Sequence, residues 1–232
     1  VDGTFLLLLG TSLSYAKESS TSKEPGELAQ AKAVINGILK DNSRFVASHK
    51  SSYFKPFLDA QHPKATVVMC SDPRVHIHAI SNAPDNELFV IRNIGNQMST
   101  AEGSVEYGVH HLHTSVLMFI GHSGCGAIKA ASGDYSKESD AIKKELDTIK
   151  IPKGTENIEG VKINVNNQVA EALKKFDHEV KEGKLVVIGA IYDLKNELKQ
   201  GHGKLVIINI NGETDQTKIK ENPLIKGHYK KK

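Results

Sequence analysis

ATVVMCSDPR (Ala65–Arg74) and SVLMFIGHSGCG (Ser115–Gly126) share one plan: a short apolar, β-branched run followed at once by a small polar cluster containing a cysteine. A strand covered on both faces reads this way, because its hydrophobicity is continuous rather than alternating. His62-Pro63 and Ser71-Asp72-Pro73 bracket the first run, so Cys70 falls at a strand's C-terminal end. Gly124 and Gly126 flank Cys125 where the second run gives way to a helix, and glycine lets the backbone approach a bound group closely. A helix starting there also offers N–H groups to an anion. A third run, Leu88–Ile91, ends at Arg92-Asn93-Ile94-Gly95-Asn96.

Outward from these runs, strands and helices alternate. Leu28, Ala31, Ile35, Ile38, Leu39 and Phe45 recur at helical spacing, which predicts one or two amphipathic helices over 26–48. A helix is expected over about Ala101–His111, a charged helical segment within Asp134–Lys150, and a longer amphipathic helix over Val161–Lys181. Lys184–Ile191 and Lys204–Ile210 read as two closing strands, the last antiparallel because the connection before it is short. The expected fold is α/β: a mostly parallel β-sheet flanked by helices, with an N-terminal helical arm over 26–60 and the α/β domain that carries both cysteine motifs over 61–232. Ligands bind at the C-terminal ends of such strands, where both cysteine motifs fall independently.

Composition bounds the function. The chain has 232 residues, 39% hydrophobic and 25% charged, as in a soluble globular protein, and no run approaches the roughly 20 apolar residues of a membrane span. Net charge is +3, and the one basic run is the terminal KGHYKKK, so electrostatics gives no reason to invoke nucleic acid. Residues 1–16 (FLLLLGTSLSYA within them) place an apolar run before small residues, Ser14 and Ala16, in the pattern of a secretory signal peptide. With no initiator Met and no basic n-region, 1–16 reads as the remnant of such a leader, and 17–25 as a linker. The expected location is periplasmic or secreted, or cytoplasmic if the run is not a leader. Two cysteines in an exported chain also admit a disulfide.

Cys70, His122 and Cys125 offer three soft or borderline ligands, and two Cys plus one His with a fourth position open is a known catalytic zinc arrangement. A lone His-x-x-Cys is a weak signal. Joined to Cys70-x-Asp72-x-Arg74 at the end of another strand, it is specific. The combination resembles the β-class carbonic anhydrases, whose hallmark is Cys-x-Asp-x-Arg followed later by His-x-x-Cys. The likeness runs from about Gln61 to Leu194 and takes in FVIRNIGN (Phe89–Asn96), SVEYGV (Ser104–Val109) and IGHSGCG (Ile120–Gly126).

That resemblance implies zinc (Zn2+) on Cys70, His122 and Cys125, and reversible hydration of carbon dioxide to bicarbonate and a proton by zinc-bound hydroxide. Zinc held by three histidines in another carbonic anhydrase class brings bound water from a pKa of about 15.7 to about 7. Two thiolates make the metal a weaker acid, so the nucleophile needs help. The resemblance gives that help to Asp72 and Arg74, a gate and hydrogen-bonding dyad in which Asp72 either pairs with Arg74 or becomes the fourth ligand in a closed state. It also implies a substrate pocket. Gln61, nine positions before Cys70 as in the plant-like branch, reaches the substrate from a neighbouring subunit; Phe89, Ile94 and Tyr107 line the pocket, and Gly126 lends a backbone N–H. A homo-oligomer, dimer or tetramer, that exchanges N-terminal helices is implied as well. Pro73 departs from the Ser of many relatives and stiffens the gate loop. Hydrolysis of carbonyl sulfide or carbon disulfide on the same scaffold, or a non-catalytic zinc or redox role, are the alternatives. His76, His78, His110, His111 and His113 read as surface residues, without a specific proton-transfer pattern.

Overall fold

A computed structural model describes residues 25–228. The leader-like segment 1–16 and all of the linker 17–25 but its last residue lie outside the described residues, as do the last four of the basic tail. The chain divides between Leu58 and Asp59 into two compact units.

The first unit is built on one helix, α1 (Pro25–Ser48), followed by a single turn, α2 (Ser51–Phe54), and a 3-10 turn at Lys55–Phe57. Phe45 and His49 are one helical turn apart, and their rings stack with centroids at 4.0 Å. Tyr53 and Phe54 extend the cluster edge to face. The apolar residues at helical spacing, Leu28, Ile35, Ile38 and Leu39, are exposed.

The second unit holds a five-stranded sheet. Its strands are β1 (Ala65–Cys70), β2 (Leu88–Asn93), β3 (Val116–His122), β4 (Val186–Asp193) and β5 (Lys204–Ile210), in the order β2-β1-β3-β4-β5. The first four are parallel and β5 is antiparallel to β4, as the short connection predicts. Five of the six β1 residues are buried, in keeping with an apolar run covered on both faces. Helices α3 (Glu102–Glu106), α4 (Gly126–Ser132), α5 (Asp140–Leu146), α6 (Asn157–Lys175), α7 (Asp177–Lys181) and α8 (Gln216–Glu221) complete the unit. Helix α6 buries Ile158, Val161, Val165, Val169 and Ala172, spaced by three and four residues. Each fully buried valine or isoleucine among them contributes about 1.5–3 kcal/mol.

Two expected helices differ in detail. The single helix over 101–111 is a 3-10 turn at Ser99–Ala101, then α3, then a π turn at Tyr107–His111. Packing imposes the wider turn. The Gly108 backbone stands so close to β1 that a Cβ would fall 2.1 Å from Thr66 Oγ1, and Thr114 Oγ1 donates to Gly108 O at 3.1 Å. The helix over 161–181 starts earlier, at Asn157, and breaks at the buried Phe176, whose φ −108 and ψ 32 are not helical.

Candidate metal centre

Parallel pairing sets the site. Met69 pairs with Ile120, so Cys70 at the end of β1 stops one level below His122 at the end of β3. Cys125 follows as the residue before α4, at φ −65 and ψ 124. Cys70 Sγ and Cys125 Sγ are 4.0 Å apart, and these sulfurs and an imidazole nitrogen of His122 lie within 4.8 Å of one another. Two sulfurs each about 2.3 Å from a tetrahedral zinc would stand about 3.8 Å apart. All three residues are buried and both cysteines are free thiols. Among the described residues this is the one cluster of three or more such donors able to hold a metal ion.

His122 supplies the test of fit. Its Nδ1 lies 3.2 Å from Ser123 O, and a carbonyl can only accept, so Nδ1 carries the hydrogen and Nε2 presents a lone pair. Nε2 is buried with no hydrogen-bond partner, a state that ordinarily costs about 1–3 kcal/mol. A cation at this point relieves it. With two thiol sulfurs as companions, the donor set fits zinc.

The thiols are poised unequally. A hydrogen bond from Cys125 pulls the Cys70 thiol down to about 4, helped by the N–H groups of Gly95 and Asp72, against the opposing effect of burial. Cys125 is pushed up, by that same shared hydrogen bond and by its own burial. Between the two, one thiolate and one thiol share a proton.

The CSDPR loop is a tight turn with Asp72 first and Pro73 second, closed by Val75 N–H donating to Asp72 O at 3.0 Å. Arg74 grips the Asp72 carboxylate with two side-chain bonds, Nε to Oδ1 at 2.9 Å and Nη2 to Oδ2 at 2.6 Å, and its backbone N–H adds a third. This guanidinium holds the Asp72 carboxyl well below the usual carboxylate range. Asp72 Oδ2 stands 3.9 Å from His122 Nε2, beyond hydrogen-bond reach, so Asp72 is turned to Arg74. Arg74 Nη2 also donates to Gly124 O at 3.1 Å, which ties the two cysteine motifs together.

Of the pocket residues, Ile94 packs against the core cluster that contains Cys70 and Cys125. Phe89 and Tyr107 form a ring pair with centroids at 5.8 Å, and Tyr107 stacks on His111. Gly126 opens α4 with clear space where a side chain would stand. Gln61 is exposed on the segment leading into β1.

Sequence reasoning passed over the groups that brace this site. Arg92 donates from Nε and Nη2 to Cys70 O, and from Nη2 to Asp72 O and Val75 O, holding the whole CSDPR backbone. An arginine closing the Leu88–Ile91 run was the available signal. Gln97, Asn164 and Gln168 form a buried amide network in which Gln97 and Asn164 both donate to Gly95 O, fixing the loop whose N–H faces Cys70.

A family model described as carbonic anhydrase matches residues 65–199, more than half of the chain. The chain belongs to the β-class carbonic anhydrases. It is 35% identical over 103 residues to a carbonic anhydrase of Synechococcus elongatus, covering 41% of this chain and 38% of that protein. To β carbonic anhydrase 5, chloroplastic, of Arabidopsis thaliana it is 30% identical over 131 residues, covering 48% of this chain and 44% of the relative. The aligned stretch therefore spans less than half the length of these curated relatives. In fold it is similar to a tetrameric β-carbonic anhydrase of Sordaria macrospora, with a TM-score of 0.64 at 22% identity, covering 76% of this chain and 98% of that one. The matched residues 65–199 contain all five β-carbonic anhydrase motif residues: Cys70, Asp72, Arg74, His122 and Cys125.

Proposed function

We propose that the chain catalyses reversible hydration of carbon dioxide to bicarbonate and a proton. The observation that carries this is a buried Cys-His-Cys cradle with an orphaned imidazole nitrogen, beside a carboxylate locked by Arg74. Zinc on Cys70, His122 and Cys125 would supply the Lewis acid that makes water nucleophilic near neutral pH. Asp72, ionised and acceptor-only, selects an O–H donor at the reacting position and disfavours a bare anion there. Arg74 fixes its orientation and, through Gly124 O, its distance from the ligands. Swinging Asp72 into the cradle as a fourth ligand breaks both side-chain bonds to Arg74, so this pairing favours the working state. Ile94 gives an apolar wall beside the two cysteines and Gly126 offers its backbone N–H; Phe89 and Tyr107, whose ring pair stands at the level of Thr66, four residues back along β1 from Cys70, belong to the pocket by resemblance alone, as does Gln61, which acts from a second copy. Stopped-flow hydration assays, run beside carbonyl sulfide and carbon disulfide, test the reading. Turnover of the sulfur substrates with none of carbon dioxide would overturn it.

A second copy is also the partner proposed for α1. Seven of its large apolar residues, from Leu28 to Val46, are exposed, and a helix of this kind finds stability by covering that face. The Sordaria macrospora relative is tetrameric. We assign export to a periplasmic or secreted location on the strength of residues 1–16 alone, to be checked by mass spectrometry of the mature N-terminus. No helix among the described residues is long and apolar enough to cross a membrane.

A further inference from the structure

We propose that Asn157, at the start of α6, is a positioning residue for the zinc site, clamping the loop that carries Cys125. The proposal rests on the zinc reading above and names a residue outside the Cys-x-Asp-x-Arg and His-x-x-Cys motifs. Gly124 N–H donates to Asn157 Oδ1 at 2.9 Å, and Asn157 Nδ2 donates to Cys125 O at 2.9 Å. One side-chain amide thus bonds a donor and an acceptor on adjacent residues of a loop with no sheet partner for either, Cys125 O also taking the Lys129 N–H of α4 at 3.1 Å.

The loop needs this clamp. Gly124 has φ +71, in the left-handed region that favours glycine, and a side chain there would run into Lys195 Cε at 2.9 Å. Ser123 is held separately, its N–H donating to Tyr192 O and its Oγ accepting from Lys195 N–H. Gly124 O takes Arg74 Nη2. The peptide groups around Gly124 are therefore held from opposite sides, by Asn157 and by Arg74, whose other bonds grip Asp72. Loosening Asn157 releases Cys125 relative to Cys70 and loosens the seat of Arg74.

Asp at 157 keeps the Oδ1 acceptor for Gly124 but turns an oxygen toward Cys125 O and adds negative charge beside the thiolates. Ala removes both bonds. Outer groups that orient a metal site are worth about 10–100-fold in affinity. The test is zinc affinity by chelator competition, with the absorption bands of the cobalt(II)-substituted protein, on wild type, Asn157→Ala and Asn157→Asp. Glu159→Gln, on the exposed side of α6, serves as control. Circular dichroism of the metal-free proteins reports their fold. The expected result is affinity about 10-fold weaker in both Asn157 variants, shifted cobalt bands, and an unchanged control. Wild-type affinity and wild-type bands in both variants would overturn the proposal while leaving the zinc reading intact. So would an affinity loss that tracks loss of fold in the metal-free protein, with unshifted bands. A wild type that takes up no zinc would overturn the zinc reading and this proposal together.

Discussion

The cradle at the C-terminal edge of the sheet and helix α1 invert each other. In the cradle, groups that can bind a metal are buried: His122 is 0% exposed, Cys125 1% and Cys70 4%. Along α1, groups that avoid water are exposed: Ile38 is 64% exposed and Leu39 60%. These buried ligands are held by parallel register and by Arg74, Arg92 and Asn157, so a single chain places all three. The exposed apolar face has no such partner among the described residues of its own unit. The difference separates what one chain accomplishes by itself from what we assign to a second copy.

Removing a ligand should have the largest effect. Cys125→Ser or His122→Ala is expected to empty the cradle of zinc and lower carbon dioxide hydration by more than about 100-fold, since outer groups alone reach that figure. Metal analysis beside the assay checks it, and a zinc-replete, active variant would break the account of the cradle. Next, Asp72→Ala and Arg74→Ala should keep the fold and the metal but lose roughly 10–100-fold in hydration. Unimpaired turnover in either would show that the dyad only shapes the loop.

The ligands were legible because chemistry and position coincide. A buried parallel strand announces itself as a continuous apolar run, and Cys70 and Cys125 each follow one directly. The bracing groups were not. Arg92 reaches back 22 residues to Cys70 O, and Asn157 reaches 33 residues to Gly124; both bond to backbone, which carries no signature of its own in a sequence. The π turn at Tyr107–His111 was hidden for a related reason, since it arises from the contact of Gly108 with Thr66 rather than from local propensity. The exposed face of α1 read correctly as amphipathic, but helical spacing alone does not say what covers it.

The arm sharpens the comparison at smaller magnitude. Ile38→Asp combined with Leu39→Asp should reduce the native mass measured by light scattering while leaving one zinc per chain. An unchanged mass would remove the second copy from the account of α1. The smallest expected effect concerns protons. The Cys70 thiol is pulled down by its hydrogen bond from Cys125 while Cys125 is pushed up, so the metal-free pair holds one proton at neutral pH. Zinc uptake at pH 7 should release about one thiol proton, and affinity should rise about tenfold per pH unit rather than a hundredfold. Calorimetry in buffers of different ionisation enthalpy reads this directly, and a release of two thiol protons would contradict the unequal pair.

The most direct test of the central claim is zinc content measured together with carbon dioxide hydration on wild type and Cys125→Ser. One zinc per chain with hydration in the wild type, and loss of both in the variant, is the result expected. A wild type that carries no zinc and joins Cys70 to Cys125 as a disulfide, or that holds zinc and hydrates nothing, would contradict it.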